Sequence, residues 1–141
     1  MKKDVLIKMK DKQTVNGEVE TMELITKGEL EGDAEDYTLV FTERFDEEFE
    51  CLTRLRVQNG QCVTMIRSGA YNSEMIIEHN KRHNCHYVTP YGEFLIGIFA
   101  KGVRSAYTKD GGTLHLHYTI DFYSGLAAEN EMTVNFEPFS S

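Results

Sequence analysis

Across residues 113–123 large and polar side chains alternate without interruption, with Leu114, Leu116, Tyr118, Ile120 and Phe122 set against His115, His117, Thr119 and Asp121. A period of two assigns the two sets to opposite faces of one extended strand, whereas a helix would scatter the five large residues around its axis. The large set is expected on a buried wall and the histidines, Thr119 and Asp121 on the outside. Similar segments fill most of the chain. Residues 5–10 read as a short strand, 19–30 as a longer one that bends near Gly28, and 37–42 as a third. Residues 51–58 and 61–67 flank Asn59-Gly60, a dipeptide that tolerates positive φ at both positions and so predicts a type I′ hairpin. Further strands are expected over 74–79, 85–89, 93–100 with its continuation through 108, and 132–136, with 81–84 as a polar loop.

Two places are less regular. Phe41, Phe45, Phe49 and Leu52 recur at near-helical spacing, which predicts a short amphipathic helix or an acidic turn. Gly97 and Gly102 interrupt an apolar run, and glycine within a strand marks a bulge or sharp corner, so one continuous, curved strand is expected there. Pro90 and Gly92 occupy the second and fourth positions of a type I turn over residues 89–92. With about nine or ten strands and no long helix, the chain is expected to be all-β, and a meander hides its edges best by closing into an antiparallel barrel.

The 141 residues suit a single domain, 1–141, with one core. No run approaches the ~20 apolar residues of a membrane span, and the amino terminus returns to charge too soon for a secretory signal. Three cysteines without CxxC spacing fit reduced thiols, so a cytoplasmic location is expected. The net charge of −8 is uneven: residues 29–50 hold ten carboxylates and one base, Arg44. Such a stretch repels phosphate backbones, and neither nucleic acid nor membrane is an expected partner.

The run Cys85-His86-Tyr87-Val88-Thr89-Pro90-Tyr91-Gly92-Glu93-Phe94, followed by Leu95-Ile96-Gly97-Ile98 and Leu116-His117-Tyr118-Thr119-Ile120, resembles the YwiB-like family of small bacterial proteins. The resemblance implies a calycin- or lipocalin-like β-barrel, here of about eight to ten strands, in a family whose function is unknown. It brings no catalytic residues with it, because the Thr-Pro-x-Gly element is a turn and specifies a fold more than a chemistry.

The residues themselves suggest three functions. Tyr87, Tyr91, Phe94, Phe99, Tyr118 and Phe122 are candidate ligand-binding aromatics, since a small barrel holds one partly apolar molecule where its side chains leave room, and forms a filled core where they do not. Because a continuous strand over 93–108 would put the turns at 89–92 and 109–112 at opposite ends, Tyr91 is expected at the ligand mouth and Lys109 and Asp110 at the other end. A second reading makes the acidic segment 43–50, with Phe45 and Phe49, a docking edge for a protein partner. A third is a metal-dependent enzyme using His115 and His117, which share a face; without a dense ligand motif they read instead as outer-face histidines, and no metal or cofactor is expected. Catalysis by Cys85 is disfavoured because His86 must point to the opposite face.

Overall fold

The structure, a computed structural model, describes residues 2–44, 47–89, 92–108, 110–122 and 125–139. Ten strands follow one another within these residues: β1 (Lys2–Val15), β2 (Glu18–Gly32), β3 (Asp36–Arg44), β4 (Glu50–Gln58), β5 (Cys62–Gly69), β6 (Asn72–Glu78), β7 (Arg82–Thr89), β8 (Gly92–Thr108), β9 (Gly111–Phe122) and β10 (Gly125–Pro138). Each is antiparallel to its sequence neighbour, and β1 pairs with β10, so the all-β meander closes into the barrel that the strand pattern predicts. Among the described residues no helix is long and apolar enough to cross a membrane.

Turn chemistry sets the connections. Asn59 and Gly60 have φ of 53° and 64°, the two positive values that a type I′ turn requires. Asn16 and Gly17, at 52° and 82°, make the same kind of turn. This second Asn-Gly carries β1 well past Lys10, the end expected from sequence, and Lys10–Thr14 pair with both β2 and β10. β8 is continuous, with its irregularity between Ala100 and Gly102. Gly97, by contrast, pairs regularly: the guanidinium of Arg82 crosses the space where a Cβ would stand and reaches Asp121 on β9.

Two expected elements are different in the structure. Residues 82–84 are not a loop but the start of β7, paired with Gly97, Ile98 and Phe99; the chain turns earlier, at Asn80 with φ 61°. Of the short helix or acidic turn expected around residues 41–52, the helix is absent among the described residues, and Glu47 and Glu48 lie in a bend between β3 and β4. β3 runs to Arg44 with Phe41 and Glu43 inward, and Phe49 and Leu52 are exposed. Phe45 lies outside the described residues. An inward acid disguised the strand period, and Glu43 is tolerated there because Arg67 meets it.

The C-terminal ends of β1, β3, β5, β7 and β9 gather at one end of the barrel, here the upper end, and those of the even-numbered strands at the lower. The lower half is filled. Tyr37, Tyr107 and Phe136 form an aromatic plug with ring centroids 5.0 to 5.7 Å apart, and the Tyr37 hydroxyl lies 2.6 Å from Ser105 Oγ. Above it pack Ile7, Leu39, Leu55, Val57, Met65, Ile77, Ile98, Leu114, Leu116, Met132 and Val134, all buried. The wall has two thin seams. β2 and β3 pair only where Glu29–Gly32 meet Tyr37–Val40. β6 and β7 pair at Asn72 and Ser73, beyond which the Ile76 N–H donates to Cys85 Sγ at 3.4 Å.

Candidate functional site

Following the inward positions along each strand toward the upper end, apolar side chains give way to polar ones. On β1 the series is Val5, Ile7, Met9, Asp11, Gln13; on β3 it is Tyr37, Leu39, Phe41, Glu43; on β5, Val63, Met65, Arg67; on β10, read in reverse, Phe136, Val134, Met132, Asn130. These ends converge on a cavity of about 540 Å³, within the size range of small-molecule sites. Asp11, Gln13, Glu20, Arg67, Tyr71, Tyr87, Tyr118 and Asn130 line its polar side, and Met22, Met75, Ile96, Ile120, Phe122 and Ala128 its apolar side. A second hollow lies on the outer wall of β2 to β6 among Glu29, Glu31, Arg54 and Arg56.

An ion pair is built into the cavity wall. Arg67 Nε donates to Glu43 Oε1 at 2.8 Å and Nη2 to Oε2 at 3.3 Å, while Thr53 Oγ1 donates to Oε1 at 2.6 Å. The side chains are only 11% and 2% exposed. Burial is the largest influence and works against the Arg67 charge, but the Glu43 carboxylate, its hydrogen bond and the nearby Tyr71 and Tyr118 together outweigh it, and the guanidinium stays ionised with its affinity for the proton raised. Across the cavity Asn130 Nδ2 donates to Asp11 Oδ1 at 3.3 Å, and Gln13 Nε2 to Asn130 Oδ1 at 3.4 Å. Burial raises the hydroxyl pKa of Tyr71, Tyr87 and Tyr118, so all three remain neutral at physiological pH.

Burial also holds the Asp11 carboxyl above its ordinary value of 3.8, outweighing the Asn130 hydrogen bond and the attraction of Arg67. The folded state thus binds this proton more tightly than the unfolded chain. The Asp11 contribution to stability is complete below the ordinary value and is lost as pH rises through the folded one. Asp11→Asn is expected to remove that loss, giving a variant at least as stable as the parent at neutral pH and with a flatter acid-side dependence. Urea titrations at mildly acidic and neutral pH check this, and a variant less stable at neutral pH would show the ionised carboxylate to be stabilising.

Of the aromatics expected from sequence, the fold brings Tyr87, Tyr118 and Phe122 together on the cavity wall. Tyr87 lies 5.1 Å from the ring of Tyr71, and Phe94 packs edge-on against Phe122 at 6.3 Å, beside the cavity. Phe99 belongs elsewhere: its neighbours Ile98 and Ala100 point inward, which turns Phe99 to the outer face. Tyr91 lies outside the described residues, as does Lys109. The continuous β8 places its own start at Gly92 and the end of β7 at Thr89 at the upper, cavity end and Asp110 at the lower. Asp11, Glu43, Arg67, Tyr71 and Asn130 were missed. For Asp11, Glu43, Arg67 and Asn130 the signal was present as charged or amide side chains prolonging an apolar alternation at its inward parity; Tyr71, in the bend between β5 and β6, gave none.

Three of the five histidines each meet one glutamate. His117 Nε2 lies 2.9 Å from Glu129 Oε1, His83 Nε2 2.8 Å from Glu78 Oε1, and His86 Nδ1 2.7 Å from Glu93 Oε1. Among the described residues no three His, Cys, Asp or Glu side chains converge as a metal set. Cys51, Cys62 and Cys85 are free thiols, and burial raises the Cys85 pKa, as suits an inert side chain.

The fold is similar to that of the crystal structure of ywiB protein from Bacillus subtilis, with a TM-score of 0.84 over 99% of this chain and 94% of that chain at 20% sequence identity. No curated protein matches the sequence. The pattern of the family described as "Domain of unknown function (DUF1934)" matches residues 7–134, which span nearly all of the barrel from β1 to β10. With that match and the shared fold, the chain belongs to the DUF1934 family, the YwiB-like β-barrels of unknown function.

Proposed function

We propose that this barrel is a non-enzymatic binder of a small, partly apolar molecule held in the upper cavity. The observation that carries the reading is the unfilled volume of about 540 Å³ above an otherwise close-packed core, since small barrels without a guest are ordinarily plugged by side chains. Tyr87, Tyr118 and Phe122 supply apolar faces with polar tips, Phe94 stands at the rim, and Tyr91 is the proposed mouth residue between β7 and β8. The likeness to calycins and lipocalins belongs to the same proposal, as does a cytoplasmic location, which the three free thiols support.

Native mass spectrometry of the protein purified from its own cells tests it. A retained small mass is expected, lost in Ala128→Leu, which extends a side chain into the cavity while leaving the packed lower core untouched. A parent protein that releases nothing on unfolding overturns the reading. The same spectrum addresses the second reading, a protein partner at the acidic segment 43–50. Phe49, 50% exposed beside Glu47, Glu48 and Glu50, favours it, and a co-purifying polypeptide released by Phe49→Ser would support it.

A further inference from the structure

We propose that the polar end of the cavity receives a primary ammonium group carried on an apolar body, an assignment that rests on the cavity being a ligand site. The charges around it are unequal. Arg67, its one lining cation among the described residues, already gives two hydrogen bonds to Glu43, and the pair is nearly dry, so its net charge is zero. Among the described residues Asp11 has no such counter-ion in contact: its one hydrogen bond comes from the uncharged amide of Asn130, and Glu20 adds a second acid at the wall. The unmatched charge is therefore negative, and a half-buried carboxylate gains most from a cation that also donates hydrogen bonds.

The hydrogen-bonding inventory agrees. An ammonium offers three donors and accepts nothing. Among the described residues Asp11 Oδ2 and the Tyr118 hydroxyl have no hydrogen-bond partner, and both side chains line the cavity. Ser73 Oγ is an independent sign of unmet hydrogen bonding at this level. It is buried without a partner on the inward face of β6, and its cross-strand neighbours are Arg67 and Tyr87, both cavity residues. The adjoining rings of Tyr71 and Tyr87 present π faces of the kind that attract cations. A carboxylate ligand would meet Asp11 and Glu20 with like charge and find Arg67 already neutralised.

Amide NMR titrations of the intact protein with hexylammonium, hexanoate and 1-hexanol test the assignment, since the three probes share a tail and differ in the head. Hexylammonium is expected to shift cavity residues and to bind roughly ten-fold or more tightly than hexanoate, a gap of the size that one charged hydrogen bond confers. Asp11→Asn should abolish that preference, lowering hexylammonium binding far more than hexanol binding. Tyr118→Phe, which removes one hydroxyl and keeps the ring, should weaken hexylammonium alone. Hexanoate binding as well as or better than hexylammonium overturns the ammonium assignment and leaves the ligand cavity standing, as does a preference that survives Asp11→Asn. If none of the three probes shifts any cavity residue, both the assignment and the cavity reading fall.

Discussion

Replacing Glu43 with alanine is expected to destabilise the barrel by about 3–5 kcal/mol, because it strands the Arg67 guanidinium in a wall from which water is largely excluded. Glu43 is the most enclosed acid of the fold, 1% exposed, and its two oxygens accept from Arg67 and Thr53 together. The loss should fall at the lower end of that range, since Arg67 also borders the cavity and can recruit water there. Replacing the pair together, Glu43→Leu with Arg67→Met, should recover most of the loss, because removing both charges also removes their desolvation. Urea unfolding of the two variants decides the matter. A Glu43→Ala protein within about 1 kcal/mol of its parent, the value of an exposed pair, would mean that the ion pair is solvated in solution.

Leu116→Asp should be the other severe change. Leu116 is fully buried in the β9 wall between the layers that Leu114 and Tyr118 join, so an aspartate there has neither water nor a donor, and a cost of about 4 kcal/mol or more follows. That is most of the stability of an ordinary domain. Ile120→Asp, two positions higher on the same face, is expected to cost about half as much, because Ile120 lines the cavity and a carboxylate at that height can be hydrated. Denaturant midpoints measured for both variants test the division of the barrel into a packed lower half and an open upper half. Equal losses, or a larger one for Ile120→Asp, would mean that the cavity is closed and dry.

The strands were legible in the sequence because their side-chain period is a local property. The face assignment on β9 needs only the alternation from Leu114 to Phe122, and the β4–β5 hairpin only Asn59-Gly60, whose left-handed conformations set the register of both strands. The period was hardest to follow at polar residues, whether inward or paired across strands. Glu43 broke the apolar alternation of β3, and the spacing of Phe41, Phe45, Phe49 and Leu52 made the segment look helical. Asp11 lay beyond the expected end of β1, although Asn16-Gly17 marked the true one. Polar residues 82–84 resembled a loop because their outlets, Asp121 for Arg82 and Glu78 for His83, lie on other strands.

Strand number, turn positions, buried faces and a closed antiparallel meander were thus contained in the order of side chains. The site was not. Glu43 and Arg67 are 24 positions apart and Asp11 and Asn130 are 119 apart, and only ring closure between β1 and β10 and the register around the barrel bring their inward ends to one rim. Phe99 shows the same limit from the other side: its type suited a ligand wall, and the parity of the continuous β8 turned it outward. Alternation states which face a side chain takes; which side chains then share a cavity, and whether the space between them is filled, depends on long-range pairing and packing that no single strand encodes.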